Sequence, residues 1–189
     1  KRSIQFYIIY ITIVIFVIIF WLFFPLFVLG VFLIFSAVHF GVMDTEKTKN
    51  RPFRFFRTII HGITILVVIP FAHPSEVKYI LDILVGYDTA LVLELLNLAL
   101  YFWCLGVLVI IVSPPLRGLS ALIELGLISA IAFILPPLWS FAIYFCAIHS
   151  PRHFQKLELI FGKGTDWKKP VIITLVISLI SLSLIFYAA

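Results

Sequence analysis

The chain has 189 residues, of which 63% are hydrophobic and only 12% charged, with a formal net charge of +5. A soluble domain carries about a quarter charged residues, so this composition excludes a water-soluble globule. The basic excess then points to cytoplasmic loops of a membrane protein and not to nucleic acid.

Apolar runs of about 20 residues, each able to cross a bilayer, recur along the sequence. The expected fold is all-α: a polytopic transmembrane helix bundle of about seven spans plus a short interfacial helix. It forms a single membrane-embedded domain over residues 1–189. Span one covers Ile4 to Phe24, and span two runs from Leu26 to Met43 after the uncharged join at Pro25. A polar loop, Asp44 to Arg57, carries five basic residues. Span three is Thr58 to Ala72. Between His73 and Asp88, Val77, Ile80, Leu81 and Leu84 fall at helical spacing, as in an amphipathic helix lying at the interface, with Ser75 as a candidate cap. Span four is Thr89 to Val112, span five Leu119 to Leu135, and span six Leu138 to His149. Gln155 to Lys169 reads as polar, and span seven follows Pro170.

The chain opens at Lys1 without an initiator Met and stops at Ala189 inside an apolar run, as a piece of a longer polypeptide would. The first apolar run is too long for a signal peptide and has no small-residue cleavage site after it. With the N-terminus in the cytoplasm, thirteen of the fourteen Lys and Arg residues fall on the inner side and only Lys78 on the outer. This asymmetry predicts a multi-pass protein of the cell membrane with a cytoplasmic N-terminus. Cys104 and Cys146 lie inside apolar runs and read as small buried hydrophobes.

Orientation sorts the five histidines by depth. His39, His61, His149 and His153 fall in one slab near the inner face, on three spans. His73 falls roughly 20 Å away at about 1.5 Å per residue. Ionisable groups inside a membrane usually mark function. His149 and His153 are four residues apart, which on a helix puts both on one face. Neutral imidazoles so grouped suit iron, copper or zinc.

Glu124 lies near the same slab. It either fixes the tautomer of a ligating imidazole as an outer-shell carboxylate or pairs with a nearby Arg. Asp44 either reaches back to the metal shell or ends its helix. Glu94 reads as an interfacial carboxylate in a first helical turn. With one coordination position open, an all-histidine site can bind and activate O2, and a substrate reaching it inside a bilayer is expected to be lipid-soluble. Two other classes fit the same histidines: a transporter of protons or a transition metal, and a haem-binding electron carrier.

Several segments taken together resemble one family. H-F-G-V-M-D (39–44), I-I-H-G (59–62), I-E-L-G (123–126) and P-P-L-W-S-F-A-I-Y-F-C-A-I-H-S-P-R-H (136–153) are similar in order and spacing to the Brp/Blh-type β-carotene 15,15′-dioxygenases of bacteria and archaea. The long last motif is the specific part. The resemblance implies a non-haem Fe(2+) enzyme that cleaves β-carotene with O2 at its central double bond. The product is two molecules of retinal, which serve a microbial rhodopsin. It further implies that His39, His149 and His153 are catalytic iron ligands, with His61 a ligand or near neighbour. The family also carries an upstream P-H-G-x-x-D motif and a later C-terminal span, neither of which occurs in these 189 residues. Pro151 is expected to kink or break the helix between His149 and His153.

Overall fold

The computed structural model describes residues 2–45, 54–112 and 119–161. All regular structure among these residues is helical: α1 (Arg2–Phe23), α2 (Pro25–Asp44), α3 (Arg54–Ala72), α4 (Pro74–Val85), α5 (Ala90–Val112), α6 (Leu119–Ile134), α7 (Pro137–Ile143), a π-helical stretch (Tyr144–His149) and α8 (Ser150–Phe161). The chain is a helical membrane bundle. Helices α1, α2, α3 and α5 are each long and apolar enough to cross a membrane, and α6 is a shorter apolar helix. Two compact units divide the chain, Lys1–Arg152 and His153–Ala189. The second unit is described only along α8, which begins at Ser150. The seventh span expected after Pro170 lies outside the described residues.

Proline sets several boundaries. Pro25, Pro74 and Pro137 each stand in the first turn of their helix, where a missing N–H costs nothing and the fixed φ favours the helical turn. The amphipathic segment expected between His73 and Asp88 is α4. Its N-cap position is His73, with no side-chain cap, so Ser75 does not serve as one. The helix stops at Gly86, whose φ of 74° is left-handed and open to glycine at little cost.

Helix α3 runs through the interior of the first unit and packs on α2, α4, α5, α6 and α7. Its buried residues include Ile60, His61, Thr64, Ile65 and Val68. Against α2 the two backbones touch. A Cβ on Gly62 would overlap the Ala37 carbonyl, and one on Gly41 would overlap that of Thr58. Glycine at both positions is what allows this crossing. Side-chain hydrogen bonds add to it, with Thr45 and Thr58 Oγ1 2.8 Å apart. On the α5 side, Trp103 Nε1–H donates to Thr64 Oγ1 at 3.0 Å.

Several boundaries and environments differ from the sequence expectation. Helix α3 begins at Arg54, so Arg57, counted with the polar loop, is buried on its first turn at 2% exposure. Helix α8 continues to Phe161, past the point where the polar segment was expected to begin. Both cysteines are exposed, because their faces of the helices look outward. Glu94 is exposed in the second turn of α5, not the first. His73 is a packing residue: its Nε2–H donates to the Ala132 carbonyl of α6 at 2.9 Å.

Candidate metal centre

The α2–α3 crossing sets the level of the first two imidazoles. Gly62 sits against Ala37 O and Gly41 N, the residues two positions either side of His39. His61, the neighbour of Gly62, is therefore held at the height of His39. His61 is buried, at 6% exposure, and lies within electrostatic range of Glu124, Asp44, Arg57 and Arg152.

The third imidazole comes from the π-helical stretch. There the Ser150 N–H reaches back five residues to the Phe145 carbonyl. Pro151 follows at once; it has no N–H to donate, and its ring disfavours the ordinary turn around Ala147. Widening the turn by one residue relieves this conflict. It also aligns positions five apart, so Tyr144 comes onto the side of His149, with their rings 6.1 Å apart and nearly parallel. The break expected from Pro151 is thus a change of helical pitch, and the chain stays helical into α8.

His149 is buried, at 3% exposure. Its ring is 5.1 Å from that of His39, centroid to centroid, at 64°. Phe40 and Phe145 pack on it at 4.8 and 5.5 Å. His39 itself lies on an exposed face of α2.

Behind His149 stands a polar network. His149 Nδ1 is 3.6 Å from Asp44 Oδ1, too long for a hydrogen bond. Tyr144 donates its O–H to Asp44 Oδ2 at 2.7 Å. Arg152 NH1 lies 3.3 Å from Asp44 Oδ1. The same guanidinium grips Glu124 with both of its arms, at 2.6 and 2.7 Å. Such two-pronged pairing is strong and directional. Glu124 therefore meets the site through Arg152. The Asp44 carboxylate, only 2% exposed, is held between a phenol, a guanidinium and an imidazole.

The donor set can be tested against a metal. An imidazole nitrogen binds a first-row metal at about 2 Å, so two such ligands side by side on one ion have centroids roughly 4.5–5.2 Å apart. His39 and His149 meet this spacing. Among the described residues, no group of three or more His, Cys, Asp or Glu side chains is assembled that could hold a metal ion. What the structure brings together is a pair of imidazoles from two helices. His153 stands on α8, as the first residue of the second unit.

Sequence reasoning missed Tyr144, and it offered Glu124 a nearby Arg without singling out Arg152. Tyr144 looked like one more aromatic in an apolar run, Arg152 like a cytoplasmic surface charge. The available signal was the carboxylate pair, Asp44 and Glu124: two acids near a membrane interior need a cation and donors.

Fold and site together define a polytopic helical membrane protein with paired imidazoles braced by a buried carboxylate. Comparison with known proteins narrows the class. The family model described as beta-carotene 15,15′-dioxygenase matches residues 1–189, and the chain belongs to that family. It is similar to the beta-carotene 15,15′-dioxygenase of an uncultured marine bacterium, 66A03. The two are 34% identical over 137 residues, which is 71% of this chain and 49% of the relative. The chain thus spans about half the length of that curated relative. No solved structure matches at a significant level.

Proposed function

We propose that this chain belongs to a membrane oxygenase that cleaves β-carotene at its central double bond with O2, giving two molecules of retinal. The observation that carries the reading is the 5.1 Å approach of His39 and His149 from separate helices, in a chain matched along its whole length by the family.

His39 and His149 would hold a non-haem iron, with His61 and His153 the further imidazoles that the sequence offers. Fe(2+) with an open position supplies binding and activation of O2 when it is bound. The protein's own groups do the rest. Asp44 lies 3.6 Å from Nδ1 of His149, where closing by a few tenths of an ångström would let it accept that N–H and leave Nε2 for a metal. Tyr144 and Arg152 hold Asp44 in place, and Glu124 holds Arg152. Phe40 and Phe145 shield the His149 ring from water. An apolar polyene can then lie against the site without desolvation cost, and the depth at which it binds selects the bond.

The protein works in the cell membrane with the N-terminus of this segment on the cytoplasmic side, as the distribution of basic residues supports. Its lipid-soluble product would reach a microbial rhodopsin through the same bilayer.

Replacement of His149 by Ala tests the reading. Retinal formation in β-carotene-producing cells should disappear and the iron content of the purified protein should fall. Unchanged retinal yield would overturn the assignment.

A further inference from the structure

A second feature of the first unit lies along α3 from the histidines. It is a cavity of about 680 Å³ between α3, α5 and α6. Val68, Phe71, Tyr101, Trp103, Cys104 and Phe133 are among its lining residues, and its walls are mostly apolar. Phe71 and Phe133 meet edge to face at 6.1 Å. Both are exposed, as are Tyr101 and Cys104, so the cavity opens sideways where a bilayer would supply hydrocarbon.

Its position relative to His61 is fixed by helix geometry. Val68 is seven residues beyond His61 and shares its stripe on α3. The cavity therefore begins about 10 Å along the helix from His61 and reaches the level of Phe71 at about 15 Å. Between the two lies Thr64, which accepts the hydrogen bond from the Trp103 indole. Trp103 is thus at once a wall of the cavity and a bolt fixed to α3 one turn from His61.

We propose that this cavity is the seat for one end of the carotenoid, with Trp103 setting how far the polyene reaches past the histidine level. The inference rests on the oxygenase reading above, and adds to it a location for the substrate. A wholly hydrocarbon ligand needs no hydrogen-bonding partners, and aromatic walls suit a ring-ended polyene. A rod lying along α3 with its middle beside His61 puts its end among Val68, Phe71 and Phe133. The competing occupant, an acyl chain of an ordinary bilayer lipid, fits the apolar walls equally well but has no reason to be retained at a fixed depth.

Cys104 gives a direct readout, because it is exposed and lines the cavity. The protein in phosphatidylcholine nanodiscs is treated with N-ethylmaleimide under argon, and alkylation of Cys104 is followed by mass spectrometry. With β-carotene at about ten times its Kd, the open fraction falls to roughly a tenth, so alkylation should slow about tenfold. A Ser129→Phe change, which fills the cavity, should remove most of that protection. An alkylation rate unaffected by β-carotene would overturn the assignment. So would equal slowing by hexadecane, a straight hydrocarbon chain without rings. Retinal production is measured in parallel after air is admitted. Retinal formed without protection of Cys104 sinks the cavity assignment and leaves the oxygenase reading. Protection without retinal keeps the cavity and sinks the oxygenase reading.

Discussion

Helices α1 and α3 are both long enough to span a bilayer, yet none of the most apolar window of α1 is buried, against 61% of that of α3. The more apolar of the two is the one left outside. Helix α1 is almost all Ile, Phe, Val and Tyr, with Gln5 and Thr12 its polar exceptions after Ser3. Helix α3 carries Arg57, Thr58, His61, Gly62 and Thr64. In water this order would be reversed. In lipid, large apolar side chains gain nothing by leaving the hydrocarbon, and helices associate through small residues and hydrogen bonds. The interior helix is therefore the less hydrophobic one.

Gly62 is the sharpest place to break this contrast. Gly62→Ala puts a methyl group into the Ala37 carbonyl and against Gly41 N. Overpacking ordinarily costs about 1–3 kcal/mol, and because the obstacles here are backbone the loss should exceed about 3 kcal/mol. The expected result is a large fall in thermal stability in detergent and in retinal yield. Phe16→Ala on α1 is the matched control. It removes far more volume from an exposed site and should change stability by less than about 0.5 kcal/mol. Comparable effects from the two would abolish the distinction between the helices.

The same contrast decides how much could be read from the sequence. Four of the spans were legible because a bilayer-length apolar run needs no partner to be recognised, although α3 starts at Arg54, before the expected Thr58, and the chain stays helical beyond His149 to Phe161. That His39 comes level with His61 and close to His149 was legible too, since it follows from counting along helices. Partners were not. Arg57 and Arg152 carry the same charge as Lys47 or Lys49, and nothing local says that the first is buried in α3 and the second clamps Glu124. Nor does the sequence show that Pro151 would be met by a widened turn upstream. That choice depends on what Tyr144 gains by reaching Asp44 from a different helix. The cavity was invisible for a similar reason: it exists only where α3, α5 and α6 fail to fill the space between them.

Arg152 supplies the next test. Arg152→Met leaves Asp44 and Glu124 inside the bundle without their shared cation. Removing one partner of a buried ion pair costs about 3–5 kcal/mol. Both ends of the Glu124 pair retain some solvent, at 27% and 19% exposure. The low end, about 3 kcal/mol, is therefore expected. Adding Glu124→Gln should recover a large part of that loss, which a thermal-melt double-mutant cycle would read. Full additivity of the two changes would show that the pair is not coupled and that Asp44 is held by other means.

The smallest effect is expected at the join of α4 and α5, where Asp88 is exposed and Lys78 and Asp82 are half-buried. Lys78 Nζ lies 2.6 Å from both Asp82 Oδ2 and Asp88 Oδ1. Asp82 Oδ1 also accepts from the Thr89 N–H and hydroxyl, at 2.8 and 2.7 Å. The hydrogen bond from Lys78, and then that from Thr89, pulls the Asp82 carboxyl down from 3.8 to about 2. Asp88 is lowered as well, by Lys78 first and then by the Ala90 N–H. A carboxyl with a depressed folded pKa adds stability above its unfolded value and loses it as pH falls through the folded one. The clasp is thus complete above about pH 4, and its contribution drains away between about pH 4 and 2. Melting temperature followed from pH 5 to pH 2 should fall in the wild type and fall less steeply in Asp82→Asn. High salt should shrink the difference, because exposed charges are screened. A slope that Asp82→Asn leaves unchanged would move the acid sensitivity elsewhere, to the carboxylates clustered around Arg152. The boundary between a surface clasp and a buried network would then have to be redrawn.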